Sequence, residues 1–426
     1  MAANAMANDE DIQRAKLGAE AWNQWMRSGP EGTRSHADFS EVTLDDIDFS
    51  GFQFPQFCTF EGAVFREPAR FQKAVFRQQA VFKNARFHDE ARFTQASFAG
   101  RAQFQGAKFA EADFGGANFS QKANFADARF NGSAAFPYAA FEKGGEFRRA
   151  RFEGFADFKG IRANGDLFFS YAKLRHGFSL DSATLQGRVH FFYAEFLSDC
   201  RFVASRFNGP RTGFDDSTFD RVPDLRSTFF AVPPSFHHVD IGYARAPTLA
   251  GRLFKLAQNQ RDGAKYRRLK QLAFEAKDHE LELNFFIQEQ RAKRWHEYRG
   301  YGRILLDLAY DWISEYGRSI IKPVACLLVL TLISFLSIAQ AFVATWSELL
   351  PKFAPVLVLA ATNATLLLGS DKWLLREKAV KALYIDGKSF SLYGELLAYG
   401  QSALSLLLLF LIGLALRNRF RIGSGG

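Results

Sequence analysis

The chain has 426 residues, enough for two or three domains, and carries 48 Phe beside only 3 Met. Globular cores spread their bulk over Leu, Ile and Val, so this bias points to a repeat. The net charge of +9 is uneven: residues 31–230 hold 26 basic and 25 acidic side chains, which excludes a strongly acidic surface there, while residues 245–318 hold 15 and 10.

That second excess lies just before a long apolar run, as positive charge does on the cytoplasmic side of membranes. Cys58, Cys200 and Cys326 are far apart, with no CxxC and no His cluster, so neither a metal nor a cofactor is expected. The N-terminal stretch lacks the apolar run of a signal peptide, which predicts a cytoplasmic start with free thiols.

Residues 1–36 read as a lead-in. Within them Leu17, Ala21, Trp22 and Trp25 recur at helical spacing over residues 9–27, which predicts a helix capping whatever follows.

The repeat occupies residues 37–230. A series of nineteen Phe runs Phe60, Phe65, Phe71, Phe76, Phe82, Phe87, Phe93, Phe98, Phe104, Phe109, Phe114, Phe119, Phe125, Phe130, Phe136, Phe141, Phe147, Phe152, Phe158, mostly in alternating steps of five and six. The residue two before each is Ala in seventeen cases, with Cys58 and Gly145 the exceptions. Weaker copies extend the series upstream to Phe39 and downstream past Phe207. A helix needs apolar spacings of three and four. An inward pair at i−2 and i, recurring every five or six residues, suits a very short strand that turns a corner and repeats. Stacked coils ~4.8 Å apart would then build Phe columns, with Ala filling the narrow place beside each ring.

The segments ADF (37–39), ADFGGANFS (112–120), ANF (123–125) and ADF (156–158) resemble the pentapeptide-repeat signature, with Phe in the Leu position. The resemblance implies an all-β, right-handed quadrilateral β-helix with the Phe and the small residue two before it both inside. Where that family steps by five, this chain often steps by six. The extra residue is read as a bulge at alternate corners, giving coils of about 22 residues in a tower of about eight coils, roughly 40 Å tall at ~4.8 Å per coil. The five-residue stepping at Phe109, Phe114 and Phe119 marks a local irregularity.

Residues 231–300 read as a linker with three prolines, followed by an α-helical hairpin broken near Asp278. His237 and His238 have no third ligand nearby. Residues 301–322 suit an amphipathic juxtamembrane helix, with Asp307, Asp311 and Glu315 on its wet face and Leu305, Leu308 and Trp312 on lipid.

Residues 323–426 form a predicted α-helical membrane domain. Residues 323–342 and 396–416 are each uncharged and long enough to span a bilayer. Between them, residues 351–369 are apolar but carry two prolines and the polar cluster Thr362, Asn363 and Thr365, which suits either a third span or a re-entrant segment, the latter preferred because basic residues on both outer sides call for an even number of crossings. This order looks like the pore module of two-span cation channels, yet no TVGYG filter is present. The closing ALRNRFRI is similar to the tail of membrane-attached pentapeptide-repeat proteins of bacteria, which implies a multi-pass protein of the bacterial inner membrane with its β-helix in the cytoplasm.

Three functions follow. The first is a membrane-anchored scaffold that presents a rigid cytoplasmic β-helix to a protein partner and self-associates through its membrane domain. The second is an ion-conducting or permeabilising protein regulated by the tower, for which Thr362, Asn363, Thr365 and Gln401 line a pore rather than pack helices. The third, taken from the family alone, is DNA mimicry aimed at a topoisomerase, which the balanced charge disfavours, as it disfavours nucleic-acid binding. No nucleophile motif, phosphate loop or paired carboxylates point to an enzyme.

Overall fold

The computed structural model describes residues 9–28, 36–45, 47–242, 259–294, 296–297, 300–342, 346–364, 370–383 and 392–423. They divide into two compact units, one of residues 1–277 and 288–293, the other of residues 278–287 and 294–426.

The first unit is a β-solenoid. Its strands, mostly two residues long, pair in parallel with the strand one coil on. Successive partners such as Ala80↔Ala102, Ala123↔Gly145 and Gly145↔Leu167 lie 22 residues apart, and Ala102↔Ala123 lie 21 apart. Each coil therefore has four short faces and about 22 residues, as the spacing predicts.

Two kinds of corner explain the alternating steps. Where the step is five, the chain makes a turn closed by a bond from residue i+3 to the inward Phe: the Ala74 N–H donates to the Phe71 carbonyl at 3.1 Å and the Ala107 N–H to that of Phe104 at 3.1 Å. The third residue of each turn is left-handed, as in Lys73 (φ 57°), Asn84 (φ 56°) and Gly106 (φ +67°), which is the type II signature. Where the step is six, an extra residue rounds the corner. The strand Arg86–Arg92 carries that residue. Its neighbour Lys108–Asp113 lacks it, and the register shifts between Phe109 and Glu111. The irregularity expected at Phe109 is this one-residue deletion.

All nineteen Phe are buried, none more than 3% exposed. They form four columns. One runs Phe39, Phe60, Phe82, Phe104, Phe125, Phe147, Phe169, Phe191, Phe214, Phe236, with successive ring centroids 4.7–5.2 Å apart and planes within 14° of parallel. Rings in opposite columns meet edge to face across the interior, as Phe60 and Phe71 do at 5.4 Å and 90°. Burying each ring contributes ~1.5–3 kcal/mol.

The coil runs further than the Phe pattern suggests. Phe236 stacks on Phe214, and the strand Asp240–Ile241 pairs with Thr218–Phe219, so residues 231–242 complete the tower instead of linking it onward. The prolines there sit at corners, where no ladder bond is needed.

Both ends of the stack are covered. The lead-in is two helices, α1 (Asp9–Ala15) and α2 (Ala19–Ser28), split at Gly18 with φ +88°. Trp22 is fully buried against Phe39, Phe52 and Phe54. Its indole N–H donates to the Gln53 carbonyl at 3.1 Å, and Asn23 both donates to the Gly51 carbonyl at 3.0 Å and accepts from the Gln53 N–H at 2.7 Å. Asp11 accepts from the Asp38 N–H at 3.0 Å. These bonds satisfy an edge that would otherwise pair with another chain. At the far end, helix α3 (Asp262–Glu275) buries Tyr266, Leu269, Leu272 and Ala273. Its Lys265 donates to the Val222 carbonyl at 3.1 Å and its Arg268 to that of Thr228 at 2.7 Å. Helix α4 (His279–Lys293) ends in this unit, where Glu289 accepts from Arg267 and Lys270 on α3.

The second unit is helical. It contains α5 (Tyr301–Ser314), α6 (Ile321–Phe342), α7 (Trp346–Ala364), α8 (Ser370–Leu383) and α9 (Leu392–Gly423). Within it, Ile338, Val356, Leu359, Ala360, Ala379 and Leu383 pack together.

Candidate functional site

A solid tower can present chemistry only on its outside, because its interior is filled by rings. Along each strand the residue between the two inward positions points out. Outward side chains one coil apart become neighbours, and many are oppositely charged. Arg149 grips Asp127 with two bonds of 2.7 and 2.8 Å, Arg188 meets Asp166 at 2.6 Å, Arg221 meets Asp199 at 2.7 Å and Arg175 meets Glu153 at 3.0 Å, each across 22 residues. The Arg149 guanidinium holds the Asp127 carboxyl below its ordinary range. On one corner the chain of contacts is longer: Tyr171 stacks on Tyr193 at 4.9 Å, and the His238 ring lies 3.4 Å from Asp216.

Sequence reasoning missed several inward residues, Phe52, Phe178 and Phe236 among them. Phe178 occupies the small place, between Ala156 and Cys200, while Leu180 takes the ring position. The swap keeps the layer filled, since Ala163, Leu174 and Leu185 are smaller than the rings they replace. The Ala-before-Phe rule hides it, because Phe178 is followed by no Phe two residues later. Below Leu167, which also takes a small place, Gly145 leaves room: a Cβ there would meet the Leu167 side chain at 3.2 Å.

Cys58 and Cys200 are buried in small places, and burial pushes both thiols up, away from reactivity. Among the described residues no group of three or more His, Cys, Asp or Glu could hold a metal ion.

Among the described residues of the helical unit, two helices are long and apolar enough to cross a membrane, over Ile321–Gln340 and Ala398–Phe420. Helix α7 keeps both Pro351 and Pro355 inside one continuous helix. Of the predicted polar residues, Thr362 is 2%, Asn363 6% and Gln401 9% exposed, whereas Thr365 lies outside the described residues. Gln401 shares the buried stripe of α9 with Ala398, Ser405, Leu408, Leu411 and Ala415. One turn ahead of that stripe's Ser405, Ser402 donates to the Asn363 carbonyl at 3.0 Å and so ties α9 to α7. The Gln401 Nε2 and the Ser405 Oγ are buried with no hydrogen-bond partner among the described residues.

The juxtamembrane helix departs from expectation. Asp307 and Asp311 do not form a wet face. Both turn onto Arg294, itself 1% exposed, at 2.5 and 2.7 Å, and the Tyr316 hydroxyl lies 2.8 Å from the same guanidinium. Leu308 is buried as well, while Leu305 and Trp312 are exposed beside Tyr301 and Leu306. A buried arginine with two carboxylates outweighs the amphipathic pattern, because a charge in this setting must find its counter-charge. Burial also pushes the Tyr316 phenol up.

No curated protein and no solved structure matches the chain. A family model described as pentapeptide repeats (9 copies) matches residues 60–108, 93–139, 104–151 and 114–162 in overlapping registers. The matched residues are the same Ala–x–Phe steps whose rings fill the tower, so the β-solenoid of this chain belongs to the pentapeptide-repeat family.

Proposed function

We propose that this protein is a membrane-anchored scaffold whose β-solenoid docks a protein partner in the cytoplasm. The observation that carries the reading is the combination of a ring-filled, end-capped solenoid with two apolar helices that bury little of themselves. Only 11% of the first candidate span and 28% of the second is covered within the chain. Leu328, Leu332 and Leu336 on α6 and Leu404, Leu407 and Phe410 on α9 are exposed, an apolar surface that suits lipid. A filled solenoid has no room for a catalytic pocket, which favours a non-enzymatic role. Self-association through the membrane helices and a re-entrant α7 belong to the same reading, as does a bacterial inner membrane with both ends of the helical unit on the cytoplasmic side. Carbonate washing of membranes should leave the chain in the pellet. The free solenoid should compete with the full chain for a membrane-recovered protein partner; release of the chain into the supernatant would overturn the anchor.

A second reading is favoured by Gln401 and Ser405, buried with no hydrogen-bond partner among the described residues. Polar groups at membrane depth are costly and are often functional. If they line a water-filled path, purified protein in liposomes conducts ions and Asn363→Leu abolishes the flux with oligomer size unchanged. The scaffold reading expects little basal flux, with Asn363→Leu acting on assembly.

A further inference from the structure

One of the two faces that follow type II corners, the one after the turns at Phe82 and Phe104, lacks the cross-coil ion pairs seen at Arg149, Arg175, Arg188 and Arg221. Its outward positions, read coil by coil, are Val64, Arg86, Lys108, Arg129, Arg151, Lys173 and Glu195, each paired in register with the next. Five basic residues therefore stand in one straight row. At Arg149, Arg175, Arg188 and Arg221 an acid one coil away neutralises the arginine. Here Lys173 alone is neutralised, by Glu195 at 2.8 Å, and that pair ends the row. Arg86, Lys108, Arg129 and Arg151 are exposed, and among the described residues none has a carboxylate partner. Like charges directly opposite one another on a sheet are destabilising. Four in succession, at ~4.8 Å per rung, cover roughly 14 Å of rigid surface.

We infer that this row is the docking track for an acidic, extended segment of a protein partner. The assignment deepens the docking reading above and rests on it. The width of the row selects the occupant. It is one residue wide: Gly106 and Ala110 flank Lys108 and leave it open, while the acids that flank the next rungs, Asp127 beside Arg129 and Glu153 beside Arg151, are already held by Arg149 and Arg175. Beyond that flank lie Asp89 and Glu111, both exposed. A bilayer or a nucleic-acid duplex is broad enough to face those acids together with the bases. A single extended chain is not. Among the described residues the only ring directly flanking the four open rungs is that of His88, while the exposed Tyr171 and Tyr193 stack on each other beyond them, beside the neutralised Lys173–Glu195 pair, so the open rungs lack the run of aromatic platforms that single-stranded nucleic acid requires. Arginine, three of the four, holds carboxylates through two parallel bonds.

The test uses the full-length chain in detergent and a fluorescent oligoglutamate of about six residues, enough to span the row at ~3.3 Å per residue. One variant carries Arg86→Ser, Lys108→Ser, Arg129→Ser and Arg151→Ser. A control of equal charge change carries Arg188→Ser, Arg201→Ser, Arg211→Ser and Arg221→Ser, all taken from paired arginines away from the row. The wild type should bind the peptide in a salt-sensitive way, the row variant about tenfold or more weakly, and the control within about threefold. Relief of repulsion should leave the row variant melting no lower than wild type, which separates lost binding from lost folding. Equal losses in both variants, unchanged binding by the row variant, or tighter wild-type binding of a DNA duplex or a phosphatidylglycerol vesicle would each overturn the assignment. If the peptide fails to bind while the free solenoid still competes for a membrane-recovered partner, the row falls and the docking reading stands.

Discussion

Phe104 lies parallel to Phe125, with ring centroids 4.8 Å apart and planes within 1°. Parallel rings at that separation touch only when slipped past one another, and the offset arrangement is the favoured one. The backbone ladder fixes the 4.8 Å repeat, so column and ladder reinforce each other coil by coil, as in other solenoids. Phe104→Ala should therefore cost about 3–5 kcal/mol, and Gln103→Ala, on the outward position beside it, within about 0.5 kcal/mol. Chemical denaturation followed by the far-ultraviolet strand signal checks both; similar losses in the two variants would show that the inward assignment is wrong.

Asn23 holds two groups of the first edge through one side chain. Asn23→Ala should cost about 1–3 kcal/mol and leave that edge able to pair with another copy. Light scattering during mild heating should rise earlier than for wild type, and an unchanged onset would argue against a capping role.

Gly160 stands in the left-handed position of its turn at φ +68°, and a Cβ there would lie 2.6 Å from the Tyr138 ring. Gly160→Ala should destabilise by about 1–2 kcal/mol, the left-handed cost for an L-residue. Lys73 has the same backbone without a glycine, so Lys73→Gly should be neutral or stabilising in the same denaturation assay.

Glu289 is buried, which alone would raise its pKa, yet Lys270, Lys293 and Arg267 together hold it below the ordinary range. A carboxylate with a lowered folded pKa stabilises above its unfolded value of about 4.3, and that contribution is lost as pH falls. Thermal melting from about pH 7 down to about pH 3 should fall less steeply for Glu289→Gln than for wild type, from a lower starting point. Parallel curves would remove Glu289 from the acid response.

Arg294 faces two buried carboxylates. Arg294→Met alone should cost about 3–5 kcal/mol by leaving them unpaired. The triple variant Arg294→Met, Asp307→Asn, Asp311→Asn should recover most of that loss. A triple variant no more stable than the single one would mean that the arginine acts through packing.

The solenoid was legible because its rule is local: a small residue, an outward residue and a ring, repeated at five or six, force the same short strand and the same corner. Coil length, inward rings and the irregularity at Phe109 all follow from spacing. Spacing could not reveal Phe178, where a ring and a leucine exchange places, since that layer is filled by neighbours one coil away. The rungs up to residue 242 were hidden too, because the residues two before Leu225, Phe230 and Phe236 are Pro223, Thr228 and Pro234 instead of Ala, although the rings still stack. The same limit applies to charge. Composition showed a balanced middle, but only the coil register shows that some arginines meet acids and that Arg86, Lys108, Arg129 and Arg151 meet one another. In the helical unit, hydropathy marked the two apolar helices, whereas Asp307 and Asp311 read as wet from periodicity alone. Their partner Arg294 lies outside that helix, and a long-range counter-charge is decided only when the chain has folded.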